Sequence, residues 1–371
     1  MKIDKSMISG KQFMFTVAFF LQSSALLTAF LAGITSNEAW IPVLIGAVLC
    51  IPLIYLFRTL MIMFPDKNFL QVLDEVYGPV IGKLLGIAYA WFFITLAAAN
   101  LVDIGDFSKT TFTTETPNLV PMLICVLVAS WAVRSGFKVV SRYGKLFTFV
   151  EFTIAATSIV LLANQMDFSN LLPMFTQPVM NYVQSVHVVA TIPYGELVVL
   201  LMVTPCVARL TPKEATKYWF GGFVMGLVVL LAVLLRDILV LGNAMHLFTL
   251  PSMVSFRLIN LNDALSRMEI IFSIALVMLL FFKITVLCYV STITVAQVFG
   301  TTQYRRLAVI VGVLILVYGP TLYPSFVEHG LSAQTMVPFI WTPFQILIPL
   351  LTLVLAKVKK RPSPTIEMIK G

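Results

Sequence analysis

Charge is scarce in this 371-residue chain: Asp, Glu, Lys and Arg together make up 11% of it, where a soluble domain carries about a quarter. Histidine is scarcer still, at three residues (His187, His246, His329), and cysteine stops at four (Cys50, Cys125, Cys206, Cys288). The histidines are isolated and the cysteines stand one by one in apolar segments. That excludes a CxxC pair, a disulfide framework and a recognisable metal site. Enzyme signatures are missing as well. There is no GxSxG, no HExxH and no Walker A, because GPVIGK at Gly78–Lys83 has the wrong spacing and lacks the following Ser or Thr. Neither a catalytic role nor a cofactor is indicated.

What fills the chain instead is hydrophobic residue, 59% of the total. Apolar runs of roughly 20 residues, long enough to cross the hydrocarbon of a bilayer, recur throughout. They do not alternate with polar residues, which rules against a membrane barrel and for an all-α polytopic membrane protein. Ten spans are expected, at 12–34, 40–63, 81–105, 119–134, 145–164, 183–207, 217–241, 269–297, 304–323 and 339–356. The intervening segments are too short for a soluble catalytic domain, so the chain reads as one transmembrane domain with a cytoplasmic tail at 357–371. The tail, ending RPSPTIEMIKG, is polar and reads as disordered.

The net charge of +8 is spread over short loops, which makes it a topology signal and not a nucleic-acid surface. The lead MKIDKSMISGK enters the first span without a cleavage site, so the first helix is read as retained. With both termini cytoplasmic, all of the 25 basic residues except Lys109, Arg236, Arg257, Arg267 and Lys283 fall on the inner side. Two links have patterns of their own. The inner link 135–147, with Phe137, Val140, Tyr143 and Phe147 between basic residues, reads as a short interfacial helix. The outer link 242–268 is apolar enough to form a cap or partly re-entrant helix, a plain amphipathic loop being the alternative. Gly82 with Gly86 and Gly222 with Gly226 have the GxxxG spacing of close helix packing.

Polar groups inside spans are costly unless they face a cavity or a partner, so they mark candidate sites. In TIPYGELVVLLMVTP (Thr191–Pro205), Pro193 and Gly195 flank Tyr194 just before Glu196. Proline removes a backbone donor and glycine weakens the helix, as a discontinuous transporter helix requires. A structural kink with Glu196 bonded to a neighbouring helix is the other reading. Gln22, Ser23 and Ser24, with Thr28 one turn on, interrupt span one midway; a site and tight packing both fit them. Two polar interruptions five spans apart, in oppositely directed spans, suggest inverted five-helix repeats: 12–164, then 183–323 with the final span 339–356. Lys283 in span eight is within reach of either Glu196 or Glu151 as a charge partner, and a buried glutamate could also carry a coupling proton. Asn100 in span three either lines a cavity or bonds a neighbouring helix. The pair Arg236–Asp237 reads as marking the interface.

Four stretches together resemble the spore-germination permease family, the integral-membrane B subunits of endospore germinant receptors. They are MISGKQFMF (Met7–Phe15), EAWIPVLIG (Glu38–Gly46), PYGELVVLLMVTP (Pro193–Pro205) and RMEIIFSIALVMLLFFKI (Arg267–Ile284). The resemblance runs over essentially the whole ten-span plan. It implies a relative of the amino acid–polyamine–organocation transporters, with a leucine-transporter-type 5+5 inverted repeat and spans one and six discontinuous. It also implies a pocket for a small germinant, often an amino acid, bounded by spans one, three, six and eight. Gln22, Ser23, Ser24, Asn100, Pro193, Tyr194, Gly195 and Glu196 would bind the ligand, and Glu196, Lys283 and Glu151 would be its charge-pair or coupling groups. Family members act with A-type and C-type subunits in the spore inner membrane. This chain departs from the pattern where relatives often carry Gly-Ser in span one and it reads Gln22-Ser23-Ser24. The function so implied is nutrient sensing; a proton-coupled amino acid transporter of the same fold is the alternative.

Overall fold

The computed structural model describes residues 7–24, 26–111, 117–259 and 268–359. Arg267, part of the outer link and residues 360–371 of the tail lie outside them. The first helix, α1 (Gly10–Gln22), is started by a capping box in which Ser9 and Gln12 bond each other's backbone N–H. It is followed by α2 (Leu27–Thr35), bent 45° from it, and the two form span one. Span two is also bent, by 42°, between α3 (Trp40–Leu49) and α4 (Ile51–Met63). Pro52 near the start of α4 lacks the N–H that would continue the ladder.

The short helix α5 (Phe69–Tyr77), capped by Asn68 and Gln71, then leads into α6 (Pro79–Thr111), α7 (Leu119–Ser135) and α8 (Phe137–Leu162). Span six opens with α9 (Val179–Val189), passes a π-turn at Ala190–Tyr194 and ends in a 3₁₀ segment, Gly195–Cys206. The second half continues with α10 (Pro212–Leu241), α11 (Pro251–Arg257), α12 (Glu269–Val298) and α13 (Tyr304–Tyr318). It ends with α14 (Phe326–Gln334), α15 (Met336–Thr342) and α16 (Ile348–Val358).

Among the described residues, seven helices are long and apolar enough to cross a membrane. The two bent pairs and the 17-residue apolar α7 complete the expected ten-span plan. Val48, Leu84, Trp131, Val160, Ile310 and Val317 lie exposed on the outside of the bundle, an apolar belt suited to lipid. At its centre α1 packs on α10 and α8, and α12 packs on α6 and α7. One end is closed by short segments: α11 and α14 pack on α2, and the turns Ser36–Glu38, Phe168–Leu171 and Gly242–Leu247 touch one another. At this capped end the buried Glu38 carboxylate accepts from Phe175 N (2.7 Å), Thr176 N (3.0 Å), Thr176 Oγ1 (2.6 Å) and the Tyr182 hydroxyl. It ties the segment entering span six to the end of span one.

Two expectations for the links change. The 135–147 segment is no separate interfacial helix: its residues from Phe137 onward are the first turns of the unbroken α8. Phe137 and Val140 are buried in the bundle while Tyr143 is exposed, so the amphipathic stripe is one face of the span. In the 242–268 link, the described part forms a 3₁₀ turn and α11, which packs against α10 and α12 as a cap.

Candidate functional site

The break in span six follows from its sequence. A residue before proline is pushed out of the helical region, and proline offers no N–H; Ile192 accordingly sits at φ −123°, ψ 105°, extended backbone inside the helical run. The chain re-enters a helical turn at Gly195, which places Glu196 in the first turn after the break, where the positive end of a helix favours a carboxylate.

Span one breaks without glycine or proline. Ser23 Oγ donates to Phe19 O (2.6 Å), and Ser23 N donates to the same carbonyl (2.9 Å). Such back-bonding bends helices. Ser24, just past α1, has left the helix face and turned toward spans six and eight. Lys283 Nζ donates to Ser24 Oγ (2.7 Å) and lies 2.5 Å from Glu196 Oε2, while the Ser24 hydroxyl is 3.3 Å from that same oxygen. All three residues are at most 5% exposed. The Phe20 ring, 5.7 Å from Nζ, offers a further cation–π contact. Of the two partners open to Lys283 in the sequence, Glu196 is the one it meets.

The cluster lines a cavity between spans one, three, six, eight and ten. Its walls are largely apolar, from Leu27, Phe30, Ile192, Leu280, Val337 and Trp341, and Asn100 reaches it from α6. The Asn100 Nδ2 donates to Leu96 O of its own helix (2.8 Å), so its side chain is held along the wall.

Four expected ligand-binding residues do not reach this cavity. Tyr194 is buried with its hydroxyl donating to Val43 O (3.1 Å) and its ring edge-on to Phe223. Pro193 turns the chain beside it, and Gly195 is packed against Gln345, whose Oε1 would lie 2.4 Å from a Cβ there. Gln22 points the other way. With Thr28, Glu151, Arg236 and Ser252 it lines a second cavity between α1, α2, α8, α10, α11 and α12. Glu151 therefore faces that cavity and not Lys283. Arg236 and Asp237, near the end of α10, are 2% and 0% exposed and so are buried inside the protein. Their network with Ser158 and Ser252 neutralises both charges inside the protein.

The capped end of the first cavity holds residues that the sequence reading passed over. His329 on α14 lies 3.1 Å (Nδ1) from Asp103 Oδ1 on α6 and stacks on Tyr323 (ring centroids 4.4 Å). Asp103 follows Asn100 by three residues on α6 and so shares its face; that spacing was the available signal. His329 sits outside any apolar run and had none. Burial pulls the His329 pKa down, but Asp103 beside it and Asp106 nearby raise it more, and it ends above the ordinary 6.5. A raised histidine pKa adds stability that is complete below the unfolded value and disappears as pH rises through the folded one. The thermal midpoint is therefore expected to fall as pH is raised above the unfolded histidine value of about 6.5. His329→Gln should flatten that slope, and a slope unchanged in the variant would remove His329 as its source.

Comparison with known proteins now adds to this geometry. The family described as "Spore germination protein" (spore permeases) matches residues 7–322. Spore germination protein KB of Bacillus subtilis (strain 168) is 28% identical over 97% of both chains. The putative spore germination protein YfkT of the same organism is 24% identical over 87% of this chain and 88% of its own. In fold, the chain is similar to Mhp1, a nucleobase-cation-symport-1 family transporter solved closed with bromovinylhydantoin bound. That likeness has a TM-score of 0.65 at 11% identity and covers 92% of this chain and 79% of that one. MhsT in complex with L-phenylalanine gives a TM-score of 0.60 at 12% identity, covering 93% and 97%. These neighbours share the leucine-transporter-type fold of two inverted five-helix repeats, with spans one and six broken at its centre. The family match runs through both breaks and Lys283, and the chain belongs to the spore germination permease family.

Proposed function

We propose that the protein is the nutrient-sensing membrane subunit of a spore germinant receptor and that it binds a small zwitterion, an amino acid, in the cavity between the breaks of spans one and six. The Lys283–Glu196–Ser24 cluster carries this reading. A buried ammonium and carboxylate side by side offer the two charges that a zwitterion's own carboxylate and ammonium require, in the opposite order. The exchange replaces the one Lys283–Glu196 pair by two pairs with the ligand, so a ligand entering here does not leave either charge stranded. The apolar walls take the side chain, and Asp103 with His329 closes the cavity toward the capped end. MhsT, which shares the fold, is described with an amino acid bound, which supports this ligand class.

Ligand binding shifts a conformational equilibrium if the two states differ in affinity, and A-type and C-type subunits in the spore inner membrane would read the shift. The proton-coupled transporter remains the second reading, favoured by a carboxylate and an amine close enough to exchange a proton. Titration of the purified protein with a panel of L-amino acids is expected to give saturable binding for at least one. Glu196→Gln should weaken it roughly tenfold or more, the loss of a hydrogen bond to a charged group. Absence of binding across the panel, or an unaffected Glu196→Gln variant, overturns the site. Concentrative uptake by proteoliposomes containing this chain alone would decide for the transporter.

A further inference from the structure

The second cavity shares no lining residue with the first, yet is as large and also contains ionisable groups. Two acidic side chains, Glu151 and Asp237, stand around one basic one, Arg236. Arg236 binds Asp237 Oδ1 through Nε (3.0 Å) and Nη2 (2.7 Å), and its Nη1 donates to Ser158 Oγ (2.7 Å). The Ser252 hydroxyl donates to the other Asp237 oxygen, and the guanidinium lies over the Phe256 ring at 5.0 Å. That network is complete in itself. It leaves Glu151, 8% exposed, whose Oε2 has no hydrogen-bond partner among the described residues, and Gln22, 5% exposed, neither of whose amide atoms has one among them. Unpartnered buried polar atoms are rare in folded proteins and call for an explanation, and here three of them face one cavity. The remaining wall is apolar, from Ile154, Val229, Leu230, Phe272, Leu276 and Leu279.

We propose that this cavity is a second binding site, for a small molecule carrying a protonated amine and a neighbouring hydroxyl or carbonyl oxygen on an apolar body. The ammonium donates to Glu151 Oε2 and Gln22 Oε1, the neighbouring oxygen accepts from Gln22 Nε2, and the body lies against the aliphatic wall. Arg236 already gives three of its N–H groups to Asp237 and Ser158, so the acceptors left at Glu151 and Gln22 favour an amine over a carboxylate or phosphate. The site is also linked to the first. Gln22 is the last residue of α1 and Ser24, two residues on, holds the Lys283–Glu196 pair. Beyond the break, Thr28 faces the second cavity and Leu27 the first. An amine that holds Gln22 thus acts on the same non-helical turn that shapes the first site, and any change in affinity must be reciprocal.

The test is calorimetric titration of the purified full-length protein with L-leucinol, which has the amine, the hydroxyl and an apolar body but no carboxylate. Saturable binding is expected, weakened about tenfold or more by Glu151→Gln and by Ala155→Phe, which fills the cavity without touching a charge. The double variant Glu196→Gln/Lys283→Met should still bind L-leucinol, with a smaller loss of affinity than Glu151→Gln gives, since it reaches the second cavity only through the shared turn. 4-Methyl-1-pentanol, the neutral counterpart, should not compete. The proposal is overturned by an absence of L-leucinol binding, by equal binding of the neutral alcohol, or by affinity untouched in both Glu151→Gln and Ala155→Phe. Loss of binding only in the Glu196/Lys283 double variant would move the amine to the first cavity and equally end it. Since the zwitterion panel reports on Glu196 and L-leucinol on Glu151, failure of one site is distinguishable from failure of the other.

Discussion

Lys283→Met alone is expected to destabilise the protein by about 3–5 kcal/mol, the loss measured when one partner of a buried ion pair is removed. Glu196 is 2% exposed and among the described residues would keep the Ser24 hydroxyl, 3.3 Å away. Glu196→Gln alone should cost less, because the amide oxygen can still accept from Nζ and Ser24 still takes its 2.7 Å bond. The double variant Glu196→Gln/Lys283→Met removes both charges, and replacing a buried pair by neutral groups is often close to neutral. Thermal retention of the detergent-solubilised monomer peak should therefore be low for Lys283→Met and near wild type for the double variant. A double variant as unstable as Lys283→Met would show that packing around Lys283, and not its charge, sets the cost. The same pair of proteins separates structure from sensing. If the pair binds the nutrient's two charges, the stable double variant must fail to respond in spores lacking the native chain. A normal dose response from it would reduce the pair to a structural link.

Glu196 and Lys283 were legible because a charge in an apolar run is costly wherever it is found, and the proline before Glu196 weakens the helix by its covalent structure alone. The break in span one had no such local cause. It depends on the Ser23 hydroxyl bonding back to Phe19 O and on Ser24 meeting Lys283 from another helix, and the second of these is a tertiary fact. Gln22 illustrates the related limit of rotation. Neighbouring residues on a helix point about 100° apart, so a triplet that reads as one polar feature is divided between two cavities, Gln22 to one and Ser23 with Ser24 to the other. In spans apolar on every side, periodicity carries no record of which face turns inward. Arg236 and Asp237 show the same limit. Their position near a span end suggested water, but Ser158, Ser252 and Phe256 meet them from α8 and α11 and exclude it.

Gly222→Ala is expected to be more damaging than alanine at Gly226 or at Gly86. On α10, a Cβ at Gly222 would lie 2.5 Å from Met14 O and 2.6 Å from Val17 Cβ, both on α1. At Gly226 it would lie 2.9 Å from Ala18 O and 3.1 Å from Leu21 Cβ. Backbone oxygens cannot turn aside as a side-chain tip can, so α1 must move away from α10 along the whole Gly222–Gly226 face. Overpacking of this kind costs about 1–3 kcal/mol. The gain in helix propensity of Ala over Gly, about 1 kcal/mol, does not offset a clash against a second backbone. Gly86 on α6 is the matched control. Its Cβ would meet only Leu70 Cδ2 and Val298 Cγ2 at 3.5 Å, ordinary contact, so Gly86→Ala should be neutral or slightly stabilising. Thermal midpoints of the three variants should order Gly86→Ala highest and Gly222→Ala lowest; a Gly222→Ala protein as stable as wild type would mean that the two helices are not in this close contact. Nutrient affinity should follow the same order for a reason beyond stability. The displaced helix ends at Gln22, and its break carries Ser24 to Lys283 and Glu196, so a shift of α1 by a few tenths of an ångström is delivered directly to the hydrogen bonds that hold the candidate site together.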